Sequence, residues 1–112
     1  MDIVYICSPY KPVTENPKEE LCSNILTAQA ACRRALKEGY VPYASHLFFP
    51  AFLKEEIREE REAGLSAGLA MLEVASELWV VKGRISEGMK QEIARAKELG
   101  IPVKTIDMEG EN

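Results

Sequence analysis

The chain alternates between short apolar runs and longer stretches in which apolar residues recur at helical spacing. The apolar runs are typical of buried strands and cover residues 2–7, 40–43, 78–81 and 102–106. The helical patterns between them cover residues 17–38, 55–75 and 87–99. Strands that alternate with helices predict parallel βαβ units with right-handed crossovers, and therefore an α/β fold.

The simplest arrangement is a Rossmann-like (flavodoxin-like) three-layer sandwich. It has a parallel four-stranded sheet in the order 2-1-3-4, with helices on both faces. Pro42 cannot donate a ladder hydrogen bond, so the second strand is expected at an edge. Residues 44–53 are expected to form an irregular aromatic connection, with one helical turn after Pro50. We expect a single domain over residues 1–106 and an acidic tail over residues 107–112 that frays.

The last helix pattern has clear boundaries. Ser86 is a good N-cap, and Gly100 with Pro102 behind it closes the other end. An apolar stripe predicted to face the sheet is formed by Met89, Ile93 and Ala96.

Glu92 lies on the flank of that stripe, four residues after Gly88. Helical side chains lean toward the helix N-terminus, so its carboxylate is expected to reach back over the turn that holds Gly88. A glycine leaves open space at that turn. A carboxylate directed into a gap beside the end of a buried strand predicts an active-site group.

The predicted topology leads to the same place. In an open parallel sheet, ligands bind beyond the strand C-termini where the strand order reverses, here between the first and third strands. The loops that enter this crevice are residues 8–10 and 83–89. The Ser8 turn and Glu92 are therefore expected to meet at one pocket.

Composition narrows the possible classes of protein. The 112 residues are 46% hydrophobic and 29% charged, typical of one small soluble domain for which oligomerisation is a plausible supplement. A net charge of −4 argues against a general nucleic-acid or anionic-membrane surface. No apolar run approaches the ~20 residues of a membrane span, and the N-terminus has no signal-peptide pattern.

Cysteine and histidine usage points to a cytoplasmic protein without a metal. The three cysteines, Cys7, Cys22 and Cys32, lack CxxC spacing and fit free buried thiols in a reducing compartment. There is one histidine, and no pair of ligands has metal-site spacing. We expect no metal and no cofactor.

With these motifs assembled, the chain resembles the nucleoside 2-deoxyribosyltransferase-like superfamily, and above all its small phage and bacterial branch. The resemblance runs along nearly the whole chain. Its motifs are residues 4–10 (VYICSPY), Asn24 with Ala28 and Cys32-Arg33, Gly39-Tyr40-Val41-Pro42 with His46-Leu47, residues 61–65 (REAGL), residues 77–80 (ELWV), and residues 86–89 (SEGM) with Glu92-Ile93.

The resemblance implies an enzyme that cleaves or exchanges the N-glycosidic bond of nucleosides or nucleotides. Its nucleophile is a glutamate in a motif similar to Gly88-x-x-x-Glu92, so Glu92 would attack the anomeric carbon and form a glycosyl-enzyme ester. A second base or water would then take the sugar. The partner implied is a small nucleoside or nucleotide, and homo-oligomers are common in the superfamily.

The chain departs from the superfamily at the general acid that protonates the leaving base. The aspartate expected in the helix before the third strand corresponds to the region of Gly68, and a second acid corresponds to Ser76. The residues that would substitute are His46, Glu87, Glu62 or Tyr10, and the sequence does not choose among them.

Each further site residue has a structural and a functional interpretation. Tyr5 either lines a base pocket or belongs to the core. Ser8 either binds ribose or phosphate or caps its turn, and Tyr10, after Pro9, either stacks on a base or covers the core. Asn24 faces either the crevice or solvent. The remaining expected substrate-binding residues are His46, which is otherwise a packed histidine, and the helix start Ser86, Glu87, Gly88 and Met89.

The helix at residues 55–75 carries a stripe of small residues. Gly64 and Gly68, with alanines beside them, predict close approach of another helix, which we interpret as a subunit contact. Arg61 lies in line with apolar residues. It either meets an anion or a partner subunit, or is exposed at the helix end.

Two hypotheses follow. The first is a nucleoside or nucleotide N-glycosidase or deoxyribosyltransferase. The second is a non-catalytic module that binds a nucleotide-derived metabolite in the same crevice. The spacing of Gly88 and Glu92 favours the first, and the missing acids favour the second.

Overall fold

A computed structural model of the chain describes residues 1–109. Four parallel strands form one sheet: β1 (Ile3–Cys7), β2 (Val41–Tyr43), β3 (Glu77–Val81) and β4 (Val103–Ile106). Their order is β2-β1-β3-β4, which confirms the predicted flavodoxin-like topology. β2, with Pro42 at its centre, is an edge strand paired with β1.

Four helices connect and cover the strands: α1 (Pro17–Lys37), α2 (Ser45–Phe48), α3 (Arg58–Met71) and α4 (Glu87–Leu99). Short 3₁₀ turns follow α2 and α3, at Phe49–Ala51 and Leu72–Val74. α1 ends before Gly39 and α4 ends at Gly100, and both glycines have positive φ, the conformation that glycine adopts without strain.

The alternation of side chains along the strands divides the core into two layers. On one face, Val4 and Ile6 of β1 pack with Trp79 and the small residues Ala31 and Ala35 of α1. On the other face, Tyr5 and Cys7 of β1 pack with residues that precede β3 and residues of α4, among them Leu72, Met89 and Ala96. The helices therefore lie on both faces of the sheet, as predicted.

Several local expectations were wrong. The aromatic connection contains a short helix that was not expected, α2, and its 3₁₀ turn spans Pro50 at Phe49–Ala51 in place of following it. The helix expected from residue 55 begins at Arg58. Met108, expected in a frayed tail, is buried in the core layer between the sheet and α1. Residues 110–112 lie outside the described part of the chain. Cys7 is a buried free thiol as expected, but Cys22 is exposed.

Among residues 1–109, no helix is long and apolar enough to cross a bilayer.

Candidate functional site

The Glu92 carboxyl group is buried, with only 4% of the residue exposed. α4 begins directly beyond the C-terminal end of β3, and its first two turns place Glu92 against the end of β1. Met89 and Ala96, one turn before and after, anchor the same face of the helix in the core. Glu92 therefore lies beside Cys7, the residue before the Ser8 turn.

Two side chains of β1 hold the carboxylate. The Tyr5 hydroxyl donates a hydrogen bond to Glu92 Oε2, and Cys7 Sγ lies 3.3 Å from Glu92 Oε1. Residues 5 and 7 point to the same face of the sheet because side chains alternate along a strand. Ser45 Oγ, at the start of α2, lies 3.3 Å from Tyr5 Oη and extends the network.

Burial sets the electrostatics of this cluster. Desolvation raises the pKa of Glu92, and the hydrogen bonds from Tyr5 and Cys7 partly oppose that shift. Burial raises the pKa values of both Tyr5 and Cys7, and the nearby Glu92 charge raises them further. Tyr5 and Cys7 therefore stay protonated and act as hydrogen-bond donors to the carboxylate.

A cavity of about 640 Å³ opens beside Glu92. Its floor and walls come from the loop after β1, from α2, from residues 49–65 and from the start of α4. The lining residues that bear on the site are Tyr10, Ser45, His46, Phe49, Arg61 and Glu92, with Ser86, Glu87 and Gly88 at the start of α4. An added Cβ at Gly88 would meet no heavy atom within 4 Å, so this glycine leaves open space as predicted.

An aromatic pair forms one wall of the cavity. The Tyr10 and His46 rings stack with centroids 5.1 Å apart and an interplanar angle of 21°. Burial lowers the pKa of His46 to about 4, so its imidazole is neutral at pH 7. Asn24 Nδ2 donates a 3.0 Å hydrogen bond to the Tyr10 carbonyl oxygen and fixes the loop that carries the ring.

The other expected site residues lie behind or beside the cavity wall. Tyr5 is beneath Glu92, and Met89 is fully buried in the core. Ser8 is buried, and its Oγ has no hydrogen-bond partner among the described residues. Pro9 is half-buried in the turn between Ser8 and Tyr10. Of the expected set, those that line the cavity are Tyr10, His46, Ser86, Glu87, Gly88 and Glu92.

Ser86 organises the helix start. Its side chain accepts a 3.2 Å hydrogen bond from the Met89 backbone N–H, and Met89 Sδ lies 3.4 Å from the Ser86 nitrogen. This cap fixes the first turn of α4, and so the direction in which Glu92 leaves the helix.

Two members of the cluster were missed in the sequence. Cys7 was interpreted only as a buried thiol, although its spacing of two from Tyr5 on one strand places both side chains on the same face. Ser45 lies in a connection without periodicity, so no sequence signal identifies it.

The glycines of α3 serve the interior of the molecule. A Cβ at Gly68 would lie 2.8 Å from Tyr5 Oη and 3.9 Å from Glu92 Oε2, and one at Gly64 would lie 3.3 Å from Leu53 Cδ1. The small face interpreted as a subunit contact is therefore occupied at both glycines by the chain itself. Arg61 is exposed, and its guanidinium donates to the Glu55 carbonyl oxygen at 3.3 Å.

Among residues 1–109, no three His, Cys, Asp or Glu side chains are grouped as metal ligands would be.

Comparison with known proteins gives a family and a structural neighbour. A family model described as a domain of unknown function (DUF7768) matches residues 2–106, so the chain belongs to that family. No curated protein matches the chain. A solved structure, the 2-deoxyribosyltransferase from the psychrotolerant bacterium Bacillus psychrosaccharolyticus, is similar with a TM-score of 0.62. The two sequences are 16% identical, and the match covers 98% of this chain and 75% of the other. At this level of identity the similarity shows a shared fold and nothing more.

Proposed function

We propose that the protein cleaves or exchanges the N-glycosidic bond of a nucleoside or nucleotide, with Glu92 as the nucleophile. The observation that supports this most directly is the buried Glu92 carboxyl group on the wall of a cavity, held by one donor at each oxygen. A desolvated and fixed carboxylate suits attack on an anomeric carbon with oxocarbenium character.

The geometry suggests how the cluster acts. Tyr5 and Cys7 orient the Glu92 carboxylate and stabilise its charge through hydrogen bonds. Because their pKa values are raised, neither group transfers its proton to the carboxylate. As a Glu92 oxygen bonds to the anomeric carbon, the carboxylate becomes a neutral ester. When water or a second base attacks the ester, the two donors stabilise the departing carboxylate.

The cavity supports a small-molecule substrate. Its volume of about 640 Å³ falls in the range usual for ligand pockets. The Tyr10 and His46 stack offers a flat aromatic surface on which a base can lie. The structural neighbour is named for deoxyribosyl transfer, which agrees with this class of reaction.

Base release tests the proposal. The protein would be incubated with a panel of nucleosides, 2′-deoxynucleosides and their 5′-monophosphates, and freed base would be quantified by chromatography. We expect release that is lost in Glu92→Gln. Glu98→Gln, an exposed position on the same helix outside the cavity lining, is the matched control and retains it. Equal release by wild type and Glu92→Gln would contradict the role of Glu92.

A second function, binding without turnover, is favoured by one observation. At the position where the superfamily keeps an acid, Gly68 faces the Tyr5 hydroxyl and Glu92. A nucleotide-derived metabolite bound tightly in calorimetry, with no base released by the wild type, would support this function instead.

Membership of the small phage and bacterial branch, a cytoplasmic location and a homo-oligomeric state stay predictions of the sequence.

A further inference from the structure

The groups that surround Glu92 are poor proton donors. Tyr5 and Cys7 have strongly raised pKa values, and Ser45 Oγ is engaged with Tyr5. Burial and the Glu92 charge also raise the pKa of Tyr43, and Gly68, which faces Glu92, has no side chain. A neutral purine or pyrimidine leaves readily only when it is protonated, and this cluster does not supply that proton.

The four residues expected from the sequence as substitute acids are also poorly placed to supply it. His46 is neutral near pH 7 because its pKa is lowered to about 4, and burial raises the pKa of Tyr10. Glu62 and Glu87 are exposed and are ion-paired at 3.1 Å with Arg58 and Lys90 on their own helices.

The cavity lining has an excess of acidic residues, which persists when the ion-paired Glu62 and Glu87 are left out. It has six acidic residues (Glu55, Glu56, Glu60, Glu62, Glu87 and Glu92) and three basic ones (Lys11, Lys54 and Arg61). Glu55 is close enough to the Tyr10 ring to raise its pKa. Aromatic faces beside carboxylates attract a flat cation through both its charge and its π contacts.

We propose that the substrate is an N-glycoside whose base is a cationic heteroaromatic ring, such as a pyridinium or an N7-alkylated purinium. This inference rests on the proposed function. Such a base is attached through a positively charged nitrogen and departs as a neutral molecule, so the reaction requires no acid.

The chemistry balances without a further reactant. A Glu92 oxygen bonds to the anomeric carbon while the C–N electron pair moves to the ring nitrogen and cancels its positive charge. Water then attacks the anomeric carbon, the ester C–O bond breaks, and Glu92 regains its carboxylate. The products are the free sugar, the neutral base and one proton released to solvent.

Matched pairs of substrates test this inference. 7-Methylguanosine and guanosine differ by one methyl group and a positive charge, and nicotinamide riboside and uridine give a second comparison. The 2′-deoxy forms of both purine nucleosides would also be assayed. Each rate would be divided by the uncatalysed rate of the same compound, because cationic glycosides are intrinsically more labile.

We expect the rate acceleration for the cationic nucleoside to exceed that for the neutral one by at least about 100-fold. This factor is the lower end of the rate gain that a general acid usually provides, and the neutral nucleoside lacks that gain here. One proton should appear per base released, measured with a pH indicator. Equal or greater acceleration of the neutral nucleosides, lost in Glu92→Gln, would overturn this inference and leave the proposed function standing. No Glu92-dependent release from any compound would overturn both.

A charge variant tests the electrostatic part. Glu55→Gln/Glu56→Gln should raise the KM for 7-methylguanosine several-fold and leave that for guanosine unchanged, whereas Glu98→Gln changes neither. Equal shifts for both nucleosides in the double variant would contradict an acidic wall that selects a cation.

Discussion

At the scale of single residues, Glu92 is the unusual feature of the molecule. Burying a carboxylate is costly unless it is paired with a cation, and among residues 1–109 Glu92 bonds to two neutral donors, Tyr5 and Cys7. Active sites keep such groups because reactivity requires them, at the expense of stability. The residue is expected to reduce stability and to be needed for function.

Glu92→Gln should therefore stabilise the protein by about 1 kcal/mol at neutral pH. Because the folded-state pKa of Glu92 is raised, folding takes up a proton between the unfolded and folded pKa values. The stability gained from protonating Glu92 is fully present below the pKa of Glu92 in the unfolded chain. It is lost as pH rises through the pKa of Glu92 in the folded protein. The advantage of the glutamine variant should consequently grow with pH.

Urea unfolding monitored by the single tryptophan, Trp79, which is buried in the core, would measure this. Glu98→Gln, which removes an exposed carboxylate from the same helix, should show no such trend. A wild type that is more stable than Glu92→Gln at every pH would contradict the account.

Gly68→Ala should destabilise the protein, although alanine is normally better than glycine inside a helix. The added methyl group would lie 2.8 Å from Tyr5 Oη and force the hydroxyl away from Glu92. Overpacking of this kind costs about 1–3 kcal/mol. Gly88→Ala is the control, since its methyl group meets open space and should leave stability unchanged or slightly higher. Thermal unfolding of both variants would check the contrast, and a stabilised Gly68→Ala would refute it.

At the scale of elements, β1 and α4 together build the site. β1 presents Tyr5 and Cys7 on one face, and α4 presents Glu92 to them because its start is fixed by Ser86. The geometry of Glu92, the proposed nucleophile, thus depends on a helix cap.

Ser86→Ala should lower the free energy of unfolding by about 1 kcal/mol, the usual cost of losing an N-cap. It should also reduce base release, because the first turn of α4 positions Glu92. Ser86→Asp restores an acceptor and should recover the stability, whereas Ser23→Ala, an exposed helical serine, is neutral. Unchanged unfolding in Ser86→Ala would show that the cap is not needed.

Elements with strong periodicity could be predicted from the sequence. α4 had a cap, a stripe and a glycine stop, and its boundaries and buried face agree with the structure. The segment from Ala44 to Ile57 was predicted less well because its aromatic residues have no period. Its short helix carries Ser45 and His46, so part of the site lay where the sequence gives least information.

At the scale of the whole molecule, the strand order brings the site together. Residues 5, 45 and 92 are far apart along the chain and meet because β1 lies between β2 and β3. The order was predictable from four strands and right-handed crossovers. The packing of the α3 glycines against the chain's own residues could not be predicted. A small residue indicates that another group comes close, but not which group it is.

We still expect a homo-oligomer. Phe48 and Phe52, 54% and 59% exposed, form an apolar surface beside the cavity in contact with Phe49. Sedimentation equilibrium should give a mass above the 12.5 kDa of one chain, and Phe52→Ser should reduce association. A monomer at all soluble concentrations would contradict this.

Trapping the covalent intermediate tests the role of Glu92 most directly. A fluorine atom at the 2-position of the sugar withdraws electrons from the anomeric carbon and destabilises the oxocarbenium-like transition state. Breakdown of the glycosyl ester is then slow, so the ester accumulates. Both a cationic and a neutral fluorinated nucleoside would be used. Mass spectrometry of the digested protein should find the fluorinated sugar on the peptide that contains Glu92. Base release from these compounds without any adduct, or with an adduct on another residue, would contradict the account.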